Sequence, residues 1–430
     1  CYGVWADIAR DLRDGREAYR KKDVARLAQI SADMDGSLFA NYGRYWLISS
    51  QIQQIDKAVV KQYLRDYSDS YLANNLRGEW LKAMGERADW SEFASEYPKV
   101  HKPDQDLQCY QLQAQQAANA ADVAYLRAAK ALWLTEKDLP NACTPVFNGL
   151  FKAQHITTED LWRRIRLALE ADNLSFAQYL NQIFPAGQGF DASLLTVAAN
   201  KPQQFVQDYA ASGSSRGVQE LLVFALSRIG KKEPQQAVDT LQVLGDQLPQ
   251  ARAEYAWGLI AAHAARNLDP MAATWFTQAD PKQLADRDLE WMTRIALRAG
   301  NWTLVQYAIE DMSPELREQN AWQYWLARAY KQYGRITDAN KMFTKISQEI
   351  DFYGVLAGEE LASVIDTPAK AYYPTPDEVA AVANRPGIKR ALALYDAGAT
   401  TEGRLEWNWA VRQLDDASLL AAAQWAERQN

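Results

Sequence analysis

The residue types that carry most enzyme chemistry are sparse in this chain of 430 residues. Histidine occurs three times, at His101, His155 and His263, each far from the others in sequence. Cysteine occurs three times, at Cys1, Cys109 and Cys143. No H-E-x-x-H, C-x-x-C, G-x-x-x-x-G-K-[ST] or G-x-S-x-G pattern is present, so zinc-protease, thiol-redox, P-loop and hydrolase-elbow chemistry lose their usual support. Paired carboxylates serve glycosidic chemistry, and Glu359–Glu360 in "AGEEL" is such a pair. Adjacent residues on a helix, however, point about 100° apart and do not flank one bond together. That pair reads as a solvated helix surface, Lys21–Lys22 and Lys231–Lys232 as solvated turns, and the histidines as surface or packing residues. The expectation is no metal site and no cofactor.

The elements are helical. In "WQYWLARAYKQYGRITDANKMF" (322–343), Trp322, Trp325, Leu326, Ala329, Tyr330 and Tyr333 recur at steps of three and four, one face of a helix. Gly334 breaks the pattern as a C-terminal cap residue does. Ala339, Met342, Phe343 and Ile346 then resume it, with Asp338 near the positive end of the second helix. Leu326, Ala327, Tyr330, Gly334, Ala339 and Phe343 fit the spacing of a tetratricopeptide-like helix pair, with Gln323 where its early Trp usually stands. The aromatics admit a sugar-stacking reading, but packing between stacked helices suits the spacing better.

One helix pair cannot bury its own apolar face, so copies are expected. "LALEADNLSFAQYLNQIFP" (167–185) aligns without gaps to the start of "IALRAGNWTLVQYAIEDMSP" (295–314). Ala168, Leu169, Ala171, Asn173, Gln178 and Tyr179 match Ala296, Leu297, Ala299, Asn301, Gln306 and Tyr307. Residues 81–98 and 255–279 are looser copies. Strand and hairpin signals are nearly absent. The fold class is all-α: a helical-repeat solenoid of tetratricopeptide-like pairs, with roughly 20 to 27 helices at about 15 to 20 residues each. The fifteen Trp then serve as inter-helix filler. Four prolines, Pro368, Pro374, Pro376 and Pro386, mark 366–387 as a connector. It divides a superhelical domain, 1–365, from a small helical module, 388–430.

A net charge of −7 argues against a large nucleic-acid surface. No apolar run approaches a membrane span; "LLVFAL" (221–226) is typical of the longest. The chain starts at Cys1 without Met, read either as a bacterial lipid-attachment residue or as a trimmed terminus.

Several segments resemble the soluble lytic murein transglycosylases of the bacterial periplasm. They are "LWLTEKDLPNAC" (132–143), "WRRIRLALEADN" (162–173), "AWQYWLARAYKQYGR" (321–335) and "FYGVLAGEEL" (352–361), in the family's order, with "KRALALYDAG" and "RLEWNWAVRQLDD" similar to its linker module. The resemblance implies a U-shaped helical superhelix closed into a ring by that linker. It also implies a lysozyme-like domain that cleaves glycan between N-acetylmuramic acid and N-acetylglucosamine. That cleavage leaves a 1,6-anhydro end, with one Glu as acid and then base and no metal. The family's Glu-Ser, Gly-Leu-Met-Gln and Ala-Tyr-Asn-Ala-Gly segments do not occur in residues 1–430. No catalytic residue is therefore carried over, and residues 1–430 are expected to be inactive alone.

The resemblance implies a Gram-negative periplasmic location, with outer-membrane tethering if Cys1 is lipidated. It implies peptidoglycan glycan strands as partner, and admits other cell-wall enzymes. Disulfides persist in that compartment, and Cys109 ("LQCYQL") and Cys143 ("PNACTP") fall in matching segments flanking one helical unit. A Cys109–Cys143 bridge is expected, with Cys1 unpaired or lipidated; two buried free thiols are the alternative. Two functions remain open: the helical portion of a peptidoglycan-cleaving enzyme, and a helical-repeat scaffold holding a protein or peptide.

Overall fold

One turn recurs along the chain and sets its architecture. At Gly334 the backbone enters the left-handed region (φ 75°), and the Arg335 N–H donates back to the Tyr330 carbonyl at 2.9 Å. That bond satisfies a carbonyl which the helix end leaves open. Gly300 and Gly398 do the same, through Asn301 N–H to Ala296 O (2.9 Å) and Ala399 N–H to Leu394 O (2.8 Å). Lys22, Ala88, Gln154, Asp172 and Leu268 take the same conformation without being glycine, at about 1–2 kcal/mol each. The next residue often starts the following helix: the Asn173 and Asn301 side chains accept from the amides of Phe176 (3.3 Å) and Leu304 (3.1 Å).

Helices joined by such turns make up the structure, a computed structural model that describes residues 2–210, 215–362 and 372–429, with no strand among them. Twenty-seven α-helices occur among the described residues, at the top of the range the residue spacing gives. The fold is an all-α, tetratricopeptide-like helical repeat of the superhelical class. Residues 322–343 form the helices Asn320–Gln332 and Ile336–Ile346. The internal repeat can now be decoded. Ala168 and Ala296 are fully buried where helices touch, Asn173 and Asn301 are caps, and Tyr179 and Tyr307 stay about half exposed. Tyr333 is likewise half exposed, so not every aromatic on the expected face is packing material. None of the tryptophans whose burial is described is fully exposed.

The chain clusters into two units, and neither coincides with residues 1–365. The first comprises residues 1–131, 139–155 and 368–430; the second comprises 132–138 and 156–367. In the first unit, Ala393, Leu394 and Ala399 join one core with Tyr42, Trp46, Leu76, Trp80 and Phe93. A buried polar cluster reinforces that contact. Glu406 accepts from Ser70 Oγ (2.7 Å), Asn41 Nδ2 (3.3 Å) and Arg390 Nη2 (3.2 Å), while Arg390 also reaches Asp69 at 2.9 Å. Burial opposes the Arg390 charge, but Glu406 and Asp69 hold its pKa above the usual arginine value.

The expected connector needs correction. Pro368 and its neighbours 363–371 lie outside the described residues, but 376–383 is helical and another helix begins at Pro386. Both Pro376 and Pro386 sit in a first helical turn, where the missing N–H has no intrahelical partner to lose. Thr375 and Glu378 close a capping box around the first of these helices. The C-terminal module therefore starts near 376, with Val379, Val382, Ile388, Ala421 and Ala422 as its core. The run 404–429 is two helices, Thr400–Val411 and Asp416–Glu427, the second capped by Asp415.

In the second unit, Arg164 ties the segment 132–138 to the helix Thr158–Glu170. Its guanidinium lies 3.9 Å from the Trp133 ring centroid and 4.9 Å from that of Phe176, and donates to the Thr135 and Lys137 carbonyls. With little but rings and carbonyls around it, burial lowers its pKa to about 10.

Candidate functional site

The helix Thr158–Glu170 starts at a reciprocal cap between Thr157 and Asp160. Leu161, Trp162, Ile165, Ala168 and Leu169 bury one side of it. Steps of four, three and four place Glu159, Arg163, Arg166 and Glu170 in a row on another side. That row lines a cavity of about 650 Å³ in the second unit, with Leu134, Glu136, Tyr255, the stretch 282–286, Asp311 and Ser313. A concave site of this size, rich in titratable groups, is the default place to look for ligand chemistry.

Two charge clusters make its floor. Arg166 binds Glu220 through two nitrogens, at 2.7 and 2.6 Å, and its guanidinium lies 4.9 Å from the Tyr255 ring centroid. Arg216 (2.6 Å) and Arg252 (2.9 Å) converge on the same carboxylate, and Arg216 also holds Glu159 at 2.9 Å. Burial works against ionised Glu220, but these three arginines keep its pKa below the ordinary carboxylate value. Glu170 accepts from the Tyr255 hydroxyl and from Arg287 Nη2 (2.5 Å). Burial, then the charge of Asp288, raises its pKa to about 7 against those two donors. Asp288 is itself paired with Arg266. At the rim, the Asp286 carboxylate accepts from the Ser313 amide at 2.8 Å. Asp311 is raised in pKa by burial, with Asp280 and Glu310 adding to it and Lys282 and Arg317 opposing.

The residues singled out from sequence lie elsewhere. Cys109 and Cys143, both buried, are joined in a disulfide with Cα atoms 4.8 Å apart; Cys1 lies outside the described residues. His101 packs edge-on to Trp409. His155 is exposed. His263 is largely buried against Ser227 Oγ (3.0 Å), and burial lowers its pKa to about 4. Glu359 is exposed, but Glu360 is not simply solvated: it pairs with Arg328 (3.0 Å) and Lys331 (2.8 Å). The row 159–163–166–170 is not among the residues expected from sequence, although its spacing is visible in "EDLWRRIRLALE". No group of three or more His, Cys, Asp or Glu among the described residues is placed to hold a metal ion. No helix among them is long and apolar enough to cross a membrane.

Comparison with known proteins now adds to the geometry. Residues 381–430 match the soluble lytic murein transglycosylase L domain. The soluble lytic murein transglycosylase of Escherichia coli K12 is 23% identical over 405 residues, covering 91% of this chain and 61% of that protein. Its Salmonella typhimurium counterpart is 24% identical over 447 residues, covering 100% and 67%. The chain thus spans about three fifths of the first of these relatives. Among solved structures, an inactive mutant of the lytic transglycosylase Slt from Pseudomonas aeruginosa superposes with a TM-score of 0.65 at 24% identity, covering 97% of this chain and 68% of that one. The 70-kDa soluble lytic transglycosylase of Escherichia coli gives 0.58 at 20% identity, covering 98% and 68%. The L-domain match falls on the module that starts near 376, and over at least nine tenths of its length the chain is similar to soluble lytic murein transglycosylases.

Proposed function

We propose that this chain is the helical, non-catalytic portion of a periplasmic lyase acting on peptidoglycan. The whole enzyme would cleave glycan strands between N-acetylmuramic acid and N-acetylglucosamine with 1,6-anhydro products. The observation that carries this reading is similarity over at least nine tenths of the chain to proteins named soluble lytic murein transglycosylase. Such cleavage needs a carboxylic acid at the scissile oxygen, held in a groove that tunes its pKa. Glu170 has a raised pKa, but both its oxygens are engaged by Tyr255 and Arg287, which suits a structural carboxyl better than a proton donor to substrate. The contribution of these helices is positional, and positioning acts only when joined to a reactive group.

The test is mass spectrometry of purified peptidoglycan digested by residues 1–430 alone, and by the same residues joined to the part of the Escherichia coli relative outside the match. No anhydro-muropeptides are expected from the first and anhydro-muropeptides from the second. Anhydro products from residues 1–430 alone would place the active site within the helices.

A second reading, a scaffold holding a protein partner, draws on the exposed apolar side chains Ile350, Phe352 and Val355. Retention on purified sacculi, against retention on candidate cell-wall enzymes, separates the two.

A further inference from the structure

We infer that the cavity beside the helix Thr158–Glu170 is a binding site for a short peptide carrying both a free carboxylate and a free ammonium group. Taken with the peptidoglycan reading, on which this identification rests, the ligand is the stem peptide rather than the glycan strand.

The floor is pre-organised and already neutralised. Arg166, Glu220, Glu170, Tyr255 and Arg287 satisfy one another through charge-assisted bonds, so a ligand meets a fixed surface and does not have to order it. The unanswered charges stand on two other parts of the lining. Arg163 lines the cavity, is exposed, and has no carboxylate partner among the described residues. Its neighbour on the same row, Glu159, is taken by Arg216. On a different segment, Asp311 is partly buried beside Asp280 and Glu310, and the Arg317 guanidinium there is spent on the Glu310 carbonyl at 2.9 Å. Lys282 alone answers that acidic edge from within the lining. The cavity thus offers a cation without an anion on one element and surplus carboxylate on another.

Ligand classes sort themselves against that pattern. A neutral glycan would dehydrate Arg163 and Asp311 without replacing their water partners, which is unfavourable. It would also find no open aromatic face, since Arg166 stands 4.9 Å from the centroid of Tyr255, the only ring in the lining. A polyanion would meet Arg163 but be repelled at the Asp280–Glu310–Asp311 edge. A peptide with both signs answers both edges, and Leu134, Leu167, Leu284 and Ala285 give apolar cover to methyl side chains. Peptidoglycan stems have this make-up: alanines, an acidic residue and an amine-bearing diamino acid.

Calorimetric titration of residues 1–430 tests the assignment. The probes are the synthetic tetrapeptide L-Ala-γ-D-Glu-meso-diaminopimelate-D-Ala, the same peptide with amines acetylated and carboxylates amidated, and chitotetraose as neutral glycan. The free peptide should bind one to one. The variants Arg163→Gln and Asp311→Asn should each bind about tenfold more weakly, the loss of one charge-assisted contact, and the blocked peptide, which loses both, about a hundredfold more weakly. Neither replaced side chain is fully buried, so both variants should fold, checked by circular dichroism. Binding of chitotetraose in place of the peptide, binding of neither, or peptide binding unmoved by both variants overturns the inference. The functional reading fails separately: a fused enzyme that releases anhydro-muropeptides while the cavity binds no peptide rejects this site and leaves that reading standing.

Discussion

Replacing Glu406 by Gln should unlock the C-terminal module from the helices near the N-terminus. Glu406 is fully buried and is the shared acceptor for Ser70, Asn41 and Arg390. Gln keeps an oxygen for Ser70 and Asn41 but removes the charge facing Arg390. Arg390 is itself buried, with a side chain only 4% exposed, and would retain only Asp69, whose side chain is 39% exposed. Breaking a buried ion pair from one side costs about 3–5 kcal/mol; the surviving Asp69 contact places this case near the lower figure, about 3 kcal/mol. The cost comes mainly from a stranded cation, so removing the cation as well should recover part of it. The double variant Glu406→Gln, Arg390→Met is expected to regain about 2 kcal/mol. Replacing Glu406 by Leu instead would not, because buried Ser70 and Asn41 would lose their acceptor. Chemical denaturation gives the magnitudes, and hydrogen exchange in the helices Tyr71–Glu86 and Pro386–Asp396 gives the location. A Glu406→Gln cost below about 1 kcal/mol, or additivity in the double variant, would refute the argument that a stranded charge dominates.

Leu268 is half exposed at φ 59°, so Leu268→Gly should raise thermal stability by about 1 kcal/mol, less the added freedom of the unfolded chain; a lower melting temperature would contradict it. Cys109→Ser with Cys143→Ser should cost about 3–4 kcal/mol, and thiol titration of the denatured, unreduced parent should find neither of these sulfurs. Burial and the nearby Asp288 charge raise the folded pKa of Glu170 from its ordinary 4.5 to about 7, so the folded state favours its neutral form. The stability it contributes is full below pH 4.5 and is lost as pH rises through 7, up to about 3 kcal/mol. Glu170→Gln should therefore flatten the fall in melting temperature between pH 5 and pH 8, and an unchanged fall would reject the assignment.

Much of the helix pattern was legible because this chain marks its helix ends locally. Gly300 and Gly334 sit at the left-handed turns, and Asn173 and Asn301 cap the helices after their turns, so one copy of the repeat discloses the next. The prolines misled because a proline ends a helix when interior but suits the first turn, and Pro376 and Pro386 occupy first turns. Sequence spacing alone cannot choose between those positions without the capping residue, and Thr375 with Glu378 supplied that signal three residues apart. The division into two units could not be read locally. It depends on Arg164 binding carbonyls 27 and 29 residues away, and on Glu406 meeting Ser70 at a separation of 336.

The cavity row shows where pattern reading stops. Glu159, Arg163, Arg166 and Glu170 share a face by spacing alone, but charged rows on helices usually face water and carry no site. What distinguishes this row is that Arg166 and the Glu170 carboxylate are withdrawn from solvent while Arg163, between Glu159 and Arg166, is not. Withdrawal of a charge is tolerable only where partners replace its water. Those partners are Glu220, 54 residues from Arg166, and Tyr255 and Arg287, 85 and 117 residues from Glu170. Each lies on a different helix, so the information that makes the row a floor and leaves Arg163 as its one open charge is distributed over four elements. The same dispersion gives the peptide assignment its discriminating power. A substitution at Arg163 removes a charge that holds nothing else in the fold, whereas one at Arg166 or Glu170 disturbs the packing of helices. Loss of peptide binding at Arg163 with an unchanged melting temperature is therefore a readout of the ligand, and the same loss at Arg166 is not.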